Sequence, residues 1–137
     1  MSAISVFICH AHEDAPIALA IYDRLVAEGF HAWIDKRDLR PGQEWQREIP
    51  LIISAADAVV ICLSKIAIGK RGYVQNEFRL AREELRKIPC DRIFILPVRL
   101  DDCEVPPEFK PFHYVDIREE GALDRVVLSL RTLKLHQ

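Results

Sequence analysis

Four short stretches of this chain carry residue types able to do chemistry, and they stand far apart. Tyr73 and Glu77 are four residues apart, one helical turn, so an aromatic and a carboxylate share a face. An aromatic wall strips water from such an acid and raises its electrostatic effect. Equally, a glutamate early in a helix is favoured by the positive dipole end without any catalysis. The stretch DKRDLRPGQE, from Asp35 to Glu44, puts Lys36, Arg37 and Arg40 in one loop. Fixed cations suit a pyrophosphate, although a charged loop is usually a solvated surface. Trp45 follows and is suited to anchor that loop to the next helix. His10 and Ala11 stand where the first apolar run ends, and Ser64 ends another. Ser64 is placed either to donate a hydrogen bond to a ligand or to open a helix.

Apolar runs separated by amphipathic stretches supply the frame for these residues. Ile4–Cys9, Phe30–Ile34, Ala58–Leu63, Ile93–Val98 and Tyr114–Ile117 read as five strands. The first helix opens at Glu13-Asp14 with Pro16 in its first turn and closes at Gly29. Its apolar face is expected from Ile17, Ile21, Leu25 and Val26. Further helices are expected over Trp45–Ala56, Tyr73–Lys87 and Ala122–Leu133, with loops over Ser64–Gly72 and Arg99–Phe112. Pro97 lacks a donor and is expected near the end of its strand. Near-continuous apolar strands alternating with helices imply an α/β, doubly wound, five-stranded parallel sheet in flavodoxin-like order, covered on both faces. In such folds ligands sit beyond the carboxyl ends of the strands. That singles out the loops after Cys9, Ile34, Leu63 and Val98.

Composition narrows the field. The chain has 137 residues, 50% of them hydrophobic and 29% charged, which suffices for one domain with a real core. Its 19 basic and 21 acidic residues are mixed, for a net charge of −2. With no basic stripe, nucleic acid is not an expected partner. The four cysteines, Cys9, Cys62, Cys90 and Cys103, show no CxxC spacing, so neither a disulfide framework nor a zinc site is expected. No run nears the ~20 apolar residues that span a bilayer, and the first is too short for a signal peptide. A cytoplasmic protein without membrane attachment is the expectation. No GxGxxG follows the first strand, Gly69-Lys70 lacks the rest of a phosphate-binding loop, and no GxSxG is present. A phosphate-receiving module would need an aspartate ending the third strand, where Leu63-Ser64-Lys65 stands.

Taken in order, the motifs resemble those of Toll/interleukin receptor (TIR) domains, bacterial type. The first is Val6-Phe7-Ile8-Cys9-His10-Ala11-His12-Glu13-Asp14, and the second runs from Trp33 through Pro41-Gly42 to Trp45. The third is Tyr73-Val74-Gln75-Asn76-Glu77, and the last lies within Phe94–Phe112 around Pro97-Val98-Arg99-Leu100. The resemblance spans about residues 4 to 133, and a single domain over 1–137 is expected. A tyrosine stands where members often have tryptophan, and Val74 where they usually have cysteine.

The resemblance implies cleavage of NAD+ between nicotinamide and ribose, giving ADP-ribose or a cyclic variant. It implies Glu77 as the catalytic glutamate, with NAD+ as substrate and neither a cofactor nor a metal. Substrate contacts would come from His10 and Ala11, from Asp35, Lys36, Arg37, Arg40 and Trp45, and from Ser64 and Tyr73. It implies partners too: other TIR domains in a homo-oligomer or filament that completes the site, and a separate or fused sensor or effector. The alternative it leaves open is a non-catalytic TIR adaptor working through TIR–TIR contacts.

Overall fold

The computed structural model describes residues 3–34, 51, 53–69, 83, 85–87 and 93–133. In chain order its elements are β1 (Ser5–Cys9), α1 (Ala15–Ala27), β2 (His31–Ile34), β3 (Ala58–Leu63), α2 (Lys65–Gly69), β4 (Phe94–Arg99), β5 (Val115–Asp116) and α3 (Ala122–Arg131). The strands form one parallel sheet in the order β2-β1-β3-β4-β5. This is the flavodoxin-like arrangement expected, and β3 has the bounds that its apolar run gave.

All six residues of β3 are buried, because the central strand is covered on both faces. On one face Val6, Ile8, Val60 and Cys62 pack with Ile21 and Leu25 of α1 and with Val126 and Leu130 of α3. On the other, Phe7, Val59, Ile61 and Leu63 pack with Ile53, Leu85 and Phe109. Strand side chains alternate between faces, so one continuous apolar run feeds both layers. Each fully buried Ile or Leu contributes about 1.5–3 kcal/mol.

Gly29 closes α1 as expected, with φ +94°, a left-handed conformation that glycine adopts without a Cβ penalty. The Gly29 N–H donates to the Val26 carbonyl and the Phe30 N–H to the Leu25 carbonyl, the paired bonds of a Schellman cap. Phe30 and Leu25, both in the core, add the apolar contact that goes with it.

Three expectations need correction. In α1 the buried positions are Ala18, Ile21 and Leu25, while Ile17 and Val26 are 37% and 49% exposed. At about 100° per residue the last two flank the stripe on opposite sides. The stretch after β3 is not all loop, because Lys65–Gly69 is helical. Pro97 is not at a strand end: it is fourth of the six residues of β4, paired with Ile61. Backbone groups of successive strand residues point to alternate sides. Phe94 and Leu100 donate toward the β3 side, to Asp57 and Leu63, which turns the Pro97 nitrogen toward β5. There β5 pairs only with Val98 and Arg99, so the missing donor costs no ladder bond.

Candidate functional site

The carboxyl ends of β1, β3 and β4 converge on a set of loops laced together by side chains. His10, the residue after β1, is 7% exposed. Its Nδ1 lies 2.7 Å from the Ala11 carbonyl oxygen. A carbonyl only accepts, so Nδ1 carries a proton and donates it there. The same carbonyl accepts the Asp14 N–H at 2.9 Å, closing the turn His12–Asp14 that leads into α1. Ala11 is 2% exposed, so this turn is packed against the sheet.

Asp14 is the N-cap residue of α1, yet its side chain caps nothing in that helix. Its Oδ2 instead accepts the Ser64 hydroxyl proton at 2.6 Å, across 50 residues of sequence. Ser64, 2% exposed, accepts in turn from the Ala67 N–H at 3.0 Å. That is the N-cap bond of α2. Of the two roles open to Ser64, the helix-opening one is therefore occupied, and the hydroxyl proton is held by Asp14.

From the β4 side, the Asp101 carboxylate accepts the Lys65 N–H at 3.1 and 3.2 Å. It also accepts the Cys103 N–H at 2.9 Å, an Asx turn that shapes the loop after β4. Lys65 Nζ pairs with Asp102 at 2.9 Å, which raises the lysine pKa and lowers that of the acid. Farther along, Asp116 at the end of β5 takes two bonds from the Arg118 guanidinium, at 3.0 and 2.8 Å. Arg118 holds the Asp116 carboxyl down at about 2. Arg99 approaches Asp116 to 3.6 Å and lies 5.9 Å from the centre of the Tyr114 ring.

Cys62 is fully buried in the core, and burial, then the charge of Asp14, pushes its thiol pKa up. It stays a neutral packing group rather than a nucleophile. A groove of about 340 Å³ opens elsewhere, between α1 and the β5–α3 connection. Arg24 and Asp124 on its walls are paired with each other.

Of the residues singled out from sequence, the structure brings His10, Ala11 and Ser64 into one hydrogen-bonded unit. Glu77, Tyr73, Asp35, Lys36, Arg37, Arg40 and Trp45 lie outside the described residues. Two residues that organise this end were not singled out, Asp14 and Asp101. Asp101 had a local signal, an aspartate just past a strand, where an Asx turn is common. Asp14 had none, since its local context says only that a helix begins. Among the described residues no helix is long and apolar enough to cross a membrane.

The TIR domain family model matches residues 6–127. An uncharacterized protein, y4cD of Sinorhizobium fredii (strain NBRC 101917 / NGR234), is 26% identical over 98 residues. The match covers 71% of this chain but only 15% of that protein. Among solved structures, the TIR domain of the Toll-related receptor TRR-2 from Hydra magnipapillata superposes with a TM-score of 0.74 at 19% identity. It covers 92% of this chain and 97% of its own. A prokaryotic SEFIR domain gives 0.69 at 15% identity, covering 94% and 97%. The TIR domains of the activated Roq1 resistosome give 0.58 at 17%, covering 95% and 72%. At these identities the likeness is one of fold.

Proposed function

The chain belongs to the TIR domain family, and we propose that it is an NAD+ glycohydrolase of that family, working in the cytoplasm in immune or stress signalling. What carries the reading is Glu77, standing four residues after Tyr73 in a chain of this family. Hydrolysing an ordinary glycoside takes two carboxyl groups, one to protonate the leaving oxygen. NAD+ needs no such acid. Its C1′–N bond breaks with the electron pair going to the pyridinium nitrogen, and nicotinamide leaves neutral. The ribose is left as an oxocarbenium ion, and a carboxylate beside it lowers the barrier. At about 4 Å and an effective dielectric near 20 that attraction is roughly 4 kcal/mol, about a thousandfold in rate.

Water then adds at C1′ and releases one proton, so NAD+ and water become nicotinamide, ADP-ribose and a proton. Capture by an adenine nitrogen instead gives a cyclic product. In this reading His10, Ala11 and Ser64 form the floor of the pocket and Tyr73 a wall. Lys36, Arg37 and Arg40 offset the pyrophosphate charge from a loop that also carries Asp35 and Trp45. TIR domains generally interact with one another, and assembly is proposed to complete and activate the site. The far greater length of the bacterial relative accords with a unit that works beside a sensor or effector, fused or separate.

The test is to incubate the purified chain with NAD+ at high protein concentration and resolve the products by chromatography, beside Glu77→Ala. Nicotinamide release that vanishes in the variant is the expected result, and the companion peak names the product as linear or cyclic. Silence of both proteins under crowding that forces assembly would turn the reading to a TIR adaptor. Activity surviving in the variant would remove Glu77 from the mechanism.

A further inference from the structure

We propose that Asp14 is a positioning residue for substrate binding, the strut that makes one rigid floor of the loops after β1 and β3. The proposal rests on the NAD+ reading of this end of the sheet. Its geometry stands on described residues alone. Asp14 occupies the N-cap position of α1 and forgoes the cap, since its carboxylate makes no bond to that helix. Instead it reaches Ser64 at 2.6 Å, a short charge-assisted bond of the strong class. Through its backbone N–H it holds the Ala11 carbonyl at 2.9 Å, the oxygen to which the His10 ring also donates. One residue thus grips both halves of the floor, with its main chain on one and its side chain on the other.

The second half needs that grip. Five-residue α2 is far below the length at which a helix holds itself in water, and it carries two β-branched isoleucines, Ile66 and Ile68. Its first turn is set by Ser64 at Ala67 and by Asp101 at Lys65. Remove Asp14, and the Ser64 hydroxyl is free to turn away from its place between the two loops. Ser64 would then cap α2 alone, and the floor would separate into two pieces, each adjusting to the ligand at a cost in affinity. The bond broken and formed at C1′ lies with Glu77, which this change leaves alone.

The kinetic signature follows. Loss of binding shared by ground and transition state raises KM and leaves kcat in place. Asp14→Ala should raise the KM for NAD+ about tenfold at an unchanged kcat, measured well below its Tm. Asp14→Asn retains an oxygen that accepts the serine proton and should recover most of the loss. Ser64→Ala should raise KM to a similar degree, and the double variant should be no worse than the worse single one, because the pair acts as a unit. Ser64→Ala also decides the matter should Asp14→Ala not fold. A purely structural Asp14 would lower Tm in the alanine variant and leave KM untouched, which overturns the proposal while the NAD+ reading stands. Wild type as silent as Glu77→Ala would instead take down the reading, and the proposal with it.

Discussion

Aspartates finish both ends of the sheet, and the bonds they make differ in kind. At the amino end Asp57 precedes β3, and its bonds go to the starts of the neighbouring strands. Its carboxylate accepts the Ser5 N–H at 2.8 Å, and its own N–H donates to the Ser5 carbonyl at 2.8 Å. Its carbonyl accepts from Phe94 at 3.2 Å. The effect is to extend the ladder one step beyond β1, β3 and β4. At the carboxyl end Asp14 and Asp101 span 50 and 36 residues of sequence to reach Ser64 and Lys65. They order loops, not ladders. A sheet that needs only to be stable can end as the amino side does. Loops with side-chain struts are what a ligand site at the carboxyl end of a doubly wound sheet requires.

Activity would break this comparison most sharply. Glu77→Gln keeps the size of the side chain and removes its charge, so nicotinamide release should fall about a thousandfold. Its Tm should stay close to that of wild type. Asp57→Ala should do the converse. It leaves the Ser5 N–H without its acceptor, at about 1–2 kcal/mol, or roughly 3–5 °C in Tm per kcal/mol for a chain of this size. The turnover of this variant, assayed well below Tm, should match wild type. A large loss of kcat in Asp57→Ala would mean that the two ends are coupled and that the division of labour is wrong.

Asp101→Ala tests the carboxyl end by itself. It loses the bonds to Lys65 and Cys103, and a helix cap of this sort is worth about 1 kcal/mol. Thermal melts and NAD+ kinetics should show a modest drop in stability and a rise in KM smaller than that of Asp14→Ala. The reason is that Ser64 still caps α2 and still reaches Asp14. A KM effect exceeding that of Asp14→Ala would make the β4 loop the principal support.

The contrast also explains what could be read from sequence and what could not. The strands were legible because each is a short apolar run, and β3 was bounded to the residue by polar neighbours, Asp57 and Ser64. The strand ends placed His10, Ala11 and Ser64 at the carboxyl edge for the same reason. Helix α2 was not legible, because Lys65-Ile66-Ala67-Ile68-Gly69 is too short to hold a helix by itself and ends in glycine. Its helicity comes from Asp101, 36 residues away, as well as from Ser64. Pro97 misled because the rule that confines proline to strand ends assumes a partner along the whole strand, and β5 has only two residues. Asp14 read only as part of a helix opening, and only the fold brings Ser64 to it. Local propensity is visible in the chain, whereas a strut joining two loops is a property of the topology.

The smallest effect expected concerns Asp116, at the far edge of the carboxyl end. Its folded pKa is depressed, from 3.8 to about 2, chiefly by the Arg118 hydrogen bonds. A group so depressed stabilises the fold fully above its unfolded pKa, and the contribution drains away as pH falls through the folded value. The window is therefore about pH 4 down to about pH 2. Arg118 is 50% exposed, so solvent and salt screen the pair and keep the effect modest. Thermal melts across that window should show wild type losing a few degrees relative to Asp116→Asn, which starts lower at neutral pH and declines less. Added salt should narrow the gap. If the two proteins decline in parallel, Asp116 does not tie β5 to Arg118 in the way its geometry indicates, and the ordered carboxyl end stops at β4.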